Sequence, residues 1–239
     1  MDAVVMAAGE GRRLRPLTER WPKPILPVDG RPVLATLAHE LAAARLERVT
    51  VVVGHLGDQV EGLLGDGSAF GLRVRYARQP EPVGSADAVS CALAAGAHPP
   101  LVVLAADTVF ASGTIREASE RWLASGTSGG LAVRHVPPDE LPRRSFVQAE
   151  GGRLVSIVEK PPAGSAPGTL AGAPLWFLDE ELCAGIGDLP GPPFELATLA
   201  ERALRAGLEL AALEIPPTRD ITRPEDVVRH NFPYLSARA

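Results

Sequence analysis

Short apolar runs alternate along this chain with segments that carry apolar residues at helical spacing. Runs typical of buried strands occupy 3–8, 49–53 and 101–105, and an alternating run at 72–76 predicts a further strand after the second helix. Between them, apolar residues three and four positions apart predict helices over 32–45 and 58–64. The order strand, helix, strand, helix, strand indicates parallel strands joined by right-handed crossovers. We therefore expect an α/β protein.

The pattern changes in the second half of the chain. A helix is predicted over 112–124 and a strand over 131–136, and the proline-rich, charged segment 137–144 is expected to be exposed. Two alternating runs on either side of Gly151 and Gly152 predict a β-hairpin. Strands beyond the first half are therefore expected to include antiparallel neighbours.

Composition narrows the protein class. The chain has 239 residues, of which 46% are hydrophobic and 22% charged, and its net charge is −5. This favours one soluble domain over 1–239 and argues against a nucleic-acid partner. No apolar run is long enough to span a membrane, and no basic region precedes Ala3, so we expect a cytoplasmic protein. The cysteines, Cys91 and Cys183, are interpreted as small core residues.

The basic residues are distributed unevenly between the two cationic types. Among 24 lysines and arginines, only Lys23 and Lys160 are lysines, in Pro-Lys-Pro and Glu-Lys-Pro. An ammonium group is a compact point charge that suits a crowded phosphate, whereas a guanidinium is a broad fork. Chance remains the alternative explanation for so small a number.

A glycine turn after the first strand is the strongest chemical signal in the sequence. Ala7 and Ala8 end the apolar run, Gly9 and Gly11 follow, and Arg13 comes two residues after Gly11. Bare backbone N–H groups beside fixed positive charge suit a polyphosphate. A Walker loop is excluded because no Gly-Lys-Ser/Thr follows, and a dinucleotide fingerprint is disfavoured because Leu14 occupies its third glycine position.

The whole run over 3–34 contains G-x-G-x-R-L-x-P-L-T, then P-K-P, then L-P-V-x-G-x-P-x-L. It resembles the signature of the sugar-1-phosphate nucleotidyltransferases, such as the glucose-1-phosphate thymidylyltransferases and N-acetyl-hexosamine-1-phosphate uridylyltransferases. That resemblance implies a Rossmann-like three-layer α/β/α fold with a mostly parallel central sheet. It also implies a nucleotide-binding part over about 1–110 and a sugar-phosphate-binding part over about 111–239. No hexapeptide repeat follows the last predicted helix, so the acetyltransferase half of the bifunctional uridylyltransferases is not expected.

The resemblance also assigns nucleotide-side residues. Gln79, five residues before Gly84, corresponds to the glutamine that reads the pyrimidine edge, which favours uracil or thymine. Gly84 and Ser85 lie in the same base-recognition loop. Asp107, at the carboxyl end of the strand 101–105, corresponds to the first metal ligand and is expected to hold Mg²⁺. Taken alone, this loop could be a serine-capped turn and the aspartate a turn residue.

Acceptor-side residues follow from the same resemblance. The residues that match its sugar-phosphate and second-metal positions are Glu159, Lys160, Gly172, Glu195 and Asp220. Of these, Asp220 is expected to bind Mg²⁺ with Asp107. A surface ion pair could explain Glu159 and Lys160, and Glu195 could simply begin a helix.

Three positions depart from the family pattern, and all lie on the acceptor side. Ser145 and Thr222 replace glycines, and Thr218 replaces a tryptophan. The resemblance therefore predicts the reaction better than it predicts the acceptor.

The resemblance implies Mg²⁺-assisted in-line attack by a sugar 1-phosphate on the α-phosphorus of UTP or dTTP, with release of pyrophosphate. In this scheme Arg13 binds the leaving pyrophosphate, Lys23 the α-phosphate, and Lys160 the acceptor phosphate. Three alternatives remain: CTP- or GTP-dependent transfer to another phosphorylated acceptor such as phosphocholine, a non-catalytic regulator that binds a nucleotide sugar, and a nicotinamide dehydrogenase. The sequence does not indicate the oligomeric state.

Overall fold

The structure is a computed structural model, and it describes residues 1–162, 164 and 168–232. Its helices are α1 (Val33–Ala43), α2 (Gly57–Leu64), α3 (Ser85–Ala94), α4 (Thr114–Ser125), α5 (Glu180–Ala184), α6 (Leu196–Arg205) and α7 (Pro224–Asn231). Its strands are β1 (Asp2–Ala7), β2 (Pro27–Val28), β3 (Arg31–Pro32), β4 (Arg48–Val53), β5 (Arg73–Arg78), β6 (Leu101–Ala105), β7 (Thr108–Val109), β8 (Gly129–His135), β9 (Ser145–Glu150), β10 (Arg153–Glu159), β11 (Leu170–Leu178), β12 (Leu210–Glu214) and β13 (Arg219–Asp220).

Within the described residues, nine strands form one sheet in the order β5-β4-β1-β6-β11-β8-β12-β10-β9. The strands from β5 to β6 are all parallel. Beyond β6 the sheet is mixed, because β11 runs antiparallel to both β6 and β8, and β10 runs antiparallel to β12 and β9. The α/β fold expected from the sequence is confirmed, and its parallel part is the first half of the sheet. The predicted hairpin is β9–β10.

Alternate residues of the central strands pack against opposite layers of helices, as the twofold repeat of a strand requires. Val51 and Val53 face a core that includes residues of α1 and α2, whereas Val52 faces a core that includes residues of α3 and α6. Each strand is therefore covered on both faces, which explains its uninterrupted apolar sequence. None of the helices in the described part of the chain has the length and hydropathy to span a bilayer.

The parallel register places the carboxyl ends of β1, β4 and β6 at one edge of the sheet. Gly9 and Asp107 follow β1 and β6 at this edge. Ligands of open α/β sheets bind at such an edge, because the loops there are free to differ while the strands hold them in place.

The segment 137–144 is exposed at 137–139 and at 143, as expected, but it is anchored at two other positions. Leu141 is buried in a small cluster with Val136 and Phe146, and Arg144 turns inward. Composition did not reveal these anchors, because they include contacts with Ala171 on β11 and Asp220 on β13, which are distant in sequence.

Candidate active site

The glycine turn after β1 is rigid at one end and open at the other. Gly11 has a left-handed backbone, with φ of 60°, and a Cβ there would lie 2.9 Å from Cγ2 of Thr18. The hydroxyl of Thr18 donates to the carbonyl of Gly11 at 2.9 Å and holds the turn in place. At Gly9 a Cβ would meet nothing within 4 Å. The backbone at Gly9 is therefore approachable from outside, as an anion-binding turn requires.

Lys23 connects this loop to the end of β6. Its ammonium donates to Oδ2 of Asp107, and both side chains are largely buried. Thr108 donates to the other oxygen of Asp107 at 3.2 Å. Arg13 is exposed and has no hydrogen-bond or ion-pair partner among the described residues. Arg12 and Arg15 pair with Glu10 and Lys23 pairs with Asp107, so Arg13 is the cation of this turn that lacks a partner among the described residues.

Two cavities open at this edge and share part of their walls. The smaller, of 280 Å³, is lined by Gly9, Gly11 and neighbouring loop residues. The larger has a volume of 720 Å³. Arg13, Lys23 and Asp107 line both, so the two cavities form one continuous cleft.

The cleft brings together most of the predicted site residues. Those on its walls are Ala7, Gly9, Gly11, Arg13, Lys23, Ser85, Asp107, Glu159, Gly172, Glu195 and Asp220. The predicted residues that do not line either cavity are Ala8, Gln79, Gly84 and Lys160. Residues predicted for the nucleotide and residues predicted for the acceptor therefore face one space.

Asp220 is held by two arginines. Its Oδ2 accepts from Arg134 at 3.0 Å and from Arg144 at 2.8 Å, and its Oδ1 accepts from Thr218 at 3.2 Å. The side chain of Asp220 is only 12% exposed and that of Arg134 only 7%. Arg144 also pairs with Glu140 at 3.0 Å.

This network shifts the pKa of its members in different directions. Burial by itself raises the pKa of Asp220, but Arg144 and Arg134 outweigh it, so the pKa lies below that of an ordinary aspartate. Burial lowers the pKa of Arg134. Burial opposes the charge of Arg144 too, but Asp220 and Glu140 together raise its pKa. Asp220 is therefore ionised, and both arginines remain charged at neutral pH.

Arg134 and Arg144 are the site residues that sequence reasoning missed. Arg134 stands alone as a charge in the apolar run 131–136, and a charged residue in a buried strand is a signal that could have been used. Arg144 gave no such signal, because it lies in a segment rich in charges and prolines.

At the end of β10, Glu159 points to the cleft and Lys160 does not line it. Ser145 donates to Oε2 of Glu159, and Lys160 lies 3.2 Å from Oε1. The side chain of Lys160 is 62% exposed. Its backbone φ of 46° is left-handed, which is uncommon for a residue with a side chain.

Hydrogen bonds within the loop hold the segment that the resemblance assigns to base recognition. Gln79 is 4% exposed, and its Nε2 donates to the carboxylate of Asp87 at 2.7 Å and to the carbonyl of Gly84 at 3.1 Å. Both partners accept hydrogen bonds only, so they fix the orientation of the amide. Its Oε1 has no hydrogen-bond partner among the described residues.

Gly84 is needed for packing between the two halves of the chain rather than for an open surface. A Cβ at Gly84 would lie 2.2 Å from the carbonyl oxygen of Phe194. Next to it, Ser85 donates to Glu195 at 2.6 Å and accepts from the backbone N–H of Leu196 at 2.9 Å. Glu195, predicted for the acceptor, therefore meets Ser85, predicted for the nucleotide.

The carboxylates of Asp107 and Asp220 fit the chemistry of a magnesium site. Both line the larger cavity, and Thr108, next to Asp107, is paired with Asp220 between β7 and β13. Among the described residues, no group of three or more His, Cys, Asp or Glu side chains could hold a metal ion. Mg²⁺ commonly takes one or two carboxylates and completes its shell with water and substrate phosphates, so two are sufficient.

Comparisons with known proteins agree with this geometry. The chain is 33% identical to glucose-1-phosphate thymidylyltransferase of Streptomyces griseus over 67% of its own length and 45% of that protein. It is 29% identical to UTP–glucose-1-phosphate uridylyltransferase AglF of Haloferax volcanii, over 95% of this chain and 93% of that protein. A solved UDP-glucose pyrophosphorylase from Acinetobacter baumanii has the same fold, with a TM-score of 0.83, 21% identity, and coverage of 96% of this chain and 91% of the other.

The chain spans about half the length of the first curated relatives that it matches. A family model described as "Nucleotidyl transferase" matches residues 2–211, which include the glycine turn and most of the cleft. The resemblance noted in the sequence is confirmed, and the chain belongs to the nucleotidyl transferase family.

Proposed function

We propose that this chain transfers a nucleotidyl group from a nucleoside triphosphate, with UTP or dTTP favoured, to a sugar 1-phosphate. The products are an NDP-sugar and pyrophosphate. One observation carries the proposal: an open glycine turn and the Lys23–Asp107 pair lie on the wall of a single cleft that continues to Glu159 and Asp220. Family membership and the printed names of the relatives support it.

In the proposed reaction an acceptor phosphate oxygen attacks the α-phosphorus in line. The new P–O bond forms as the bond to the β-phosphate breaks, and pyrophosphate leaves with its electron pair. The acceptor phosphate is already an anion, so no general base is required. Arg13 binds the leaving pyrophosphate, and Lys23 neutralises charge on the α-phosphate. Catalysis then depends on orientation and charge stabilisation.

The family generally depends on a divalent metal ion. Asp107 and Asp220 would hold Mg²⁺, which would neutralise triphosphate charge when bound. Lys23 pairs with Asp107 in this structure, so that ion pair must open for Asp107 to serve as a ligand. The contacts of Asp220 with Arg134 and Arg144 must rearrange for it to serve as a ligand.

The orientation of Gln79 supports a preference for uracil or thymine. Because Nε2 is engaged by Asp87 and Gly84, Oε1 is the atom that remains to meet a ligand. A carbonyl oxygen accepts from the N3–H of uracil or thymine; it also accepts from N1–H of guanine and the amino group of cytosine, so the choice among bases depends on the family resemblance as well. Gln79 does not line the cleft, so the base must enter beside it or the loop must shift.

Pyrophosphate release tests the proposal directly. UTP, dTTP, CTP, GTP and ATP are each combined with a panel of sugar 1-phosphates and phosphocholine, with and without Mg²⁺. We expect Mg²⁺-dependent release with UTP or dTTP and a sugar 1-phosphate such as glucose 1-phosphate. Release only with CTP or GTP would overturn the base assignment. No release in any combination, with nucleotide still bound, would favour the non-catalytic regulator.

A further inference from the structure

At the acceptor end of the cleft, two arginines share one oxygen of a single carboxylate. Arg134 and Arg144 both contact the same oxygen of Asp220, at 3.0 and 2.8 Å. Two guanidinium groups so close together repel each other, and a single carboxylate compensates for only one of them. Glu140 offsets part of the charge of Arg144 but does not pair with Arg134.

Arg134 has an unused donor in a buried position. Its side chain is 7% exposed, and its Nε is buried without a hydrogen-bond partner among the described residues. Leaving a buried donor of a charged group unpaired costs free energy, so such a group is usually satisfied in the functional state. The missing partner must be an acceptor, because a guanidinium only donates.

Both arginines line the larger cavity, together with Ser145 and Gly172. A Cβ at Gly172 would lie 3.5 Å from the Cβ of Ser145, so these two small residues are neighbours on the cavity wall. A phosphate can accept paired hydrogen bonds from two arginine forks at once, which a single aspartate oxygen cannot do. Lys160, the residue that the sequence suggested for this task, is not on the cavity wall.

We propose that Arg134 and Arg144 form the binding site for the acceptor's phosphate, and that Asp220 occupies this site as a counter-ion until the acceptor arrives. The inference rests on the proposed function, because it takes its ligand from that reaction. Binding of the acceptor phosphate moves the two arginines from Asp220 to the phosphate. The carboxylate is thereby freed at the same time as the acceptor becomes fixed.

The test is a calorimetric titration with inorganic phosphate, without metal and without nucleotide. Arg134→Gln and Arg144→Gln should each weaken phosphate binding about tenfold, since each removes a charge-assisted contact. Asp220→Asn should do the opposite and tighten binding several-fold, because it removes the competing charge and keeps the shape. A purely structural network predicts no such gain.

Three further variants make the result unambiguous. Arg144→Lys keeps the charge and should retain part of the affinity, even if Arg144→Gln folds poorly. Arg13→Gln tests whether the phosphate binds at the glycine turn instead of at Arg134 and Arg144. Arg205→Gln is the matched control, because Arg205 is exposed and pairs with Glu201 on α6 outside the cleft. It should bind phosphate as wild type does.

The proposal is overturned if wild type binds no phosphate, if Arg13→Gln alone weakens binding, or if Asp220→Asn brings no gain. With active enzyme, Arg144→Gln should also raise KM for the acceptor about tenfold and leave KM for the nucleotide nearly unchanged. If no acceptor releases pyrophosphate but the phosphate titration follows the expected pattern, the proposed function fails and the anion site remains. If the enzyme releases pyrophosphate but the phosphate titration does not follow the expected pattern, the proposed function stands and the anion site is overturned.

Discussion

The two ends of the cleft differ in how their charges are partnered. At the predicted nucleotide end, Arg13 has no hydrogen-bond or ion-pair partner among the described residues and the backbone at Gly9 is open, so this end can receive an anion while Lys23 still pairs with Asp107. At the acceptor end, Asp220 is enclosed by Arg134, Arg144 and Thr218. Nucleotide binding must open one ion pair, Lys23–Asp107, whereas acceptor binding must separate two arginines from one carboxylate. We infer that acceptor binding, more than nucleotide binding, reorganises the site.

Lys23→Gln gives the largest expected effect. Removing a fixed charge from the reacting phosphates should lower kcat about a hundredfold or more, as loss of a single stabilising donor does in other active sites. Steady-state pyrophosphate release measures it. Arg205→Gln, which removes an exposed charge far from the cleft, should retain wild-type kcat. An unchanged kcat in Lys23→Gln would show that Lys23 takes no part in the chemical step.

Gly84→Ala and Gly9→Ala separate packing from ligand access. A methyl group at Gly84 would overlap the backbone of Phe194, so the free energy of unfolding should fall by about 3 kcal/mol. At Gly9 the same methyl meets no protein atom, so stability should change by less than about 0.5 kcal/mol while KM for the nucleotide rises. Urea unfolding and steady-state kinetics measure the two effects. Equal losses of stability would contradict the contrast.

The pH dependence of stability tests the acceptor end by itself. The pKa of Asp220 is lowered in the folded protein, so its contribution to stability is present above its unfolded pKa and is lost as pH falls through the folded pKa. Asp220→Asn should therefore unfold about 2 kcal/mol more easily near neutral pH. The difference from wild type should shrink below about pH 4. Urea unfolding at a series of pH values checks this, and a constant difference would contradict it.

The nucleotide end could be predicted from the sequence because its parts are contiguous. The glycine turn, Arg13 and Lys23 fall within about twenty residues, and the parallel strands that deliver them follow from the apolar pattern. Asp107 was found because it follows a buried strand at the predicted binding edge. Local sequence was sufficient wherever one loop made the site.

The acceptor end could not be predicted in this way, because tertiary contacts assemble it. Arg134, Arg144 and Asp220 come from β8, a loop and β13, and only the folded sheet brings them to one point. The same applies to Gly84, whose requirement for glycine comes from Phe194, over a hundred residues away. Sequence spacing carries no information about such contacts.

The fate of labelled phosphorus tests the central claim most directly. UTP labelled at the α-phosphate or at the γ-phosphate is incubated with Mg²⁺ and glucose 1-phosphate, and the products are separated. Our account predicts that the α-label enters a nucleotide sugar and the γ-label enters pyrophosphate, in equal amounts, and that neither occurs without the acceptor. Release of the γ-label as inorganic phosphate, with the α-label remaining in UDP, would show hydrolysis instead of transfer and would contradict the account.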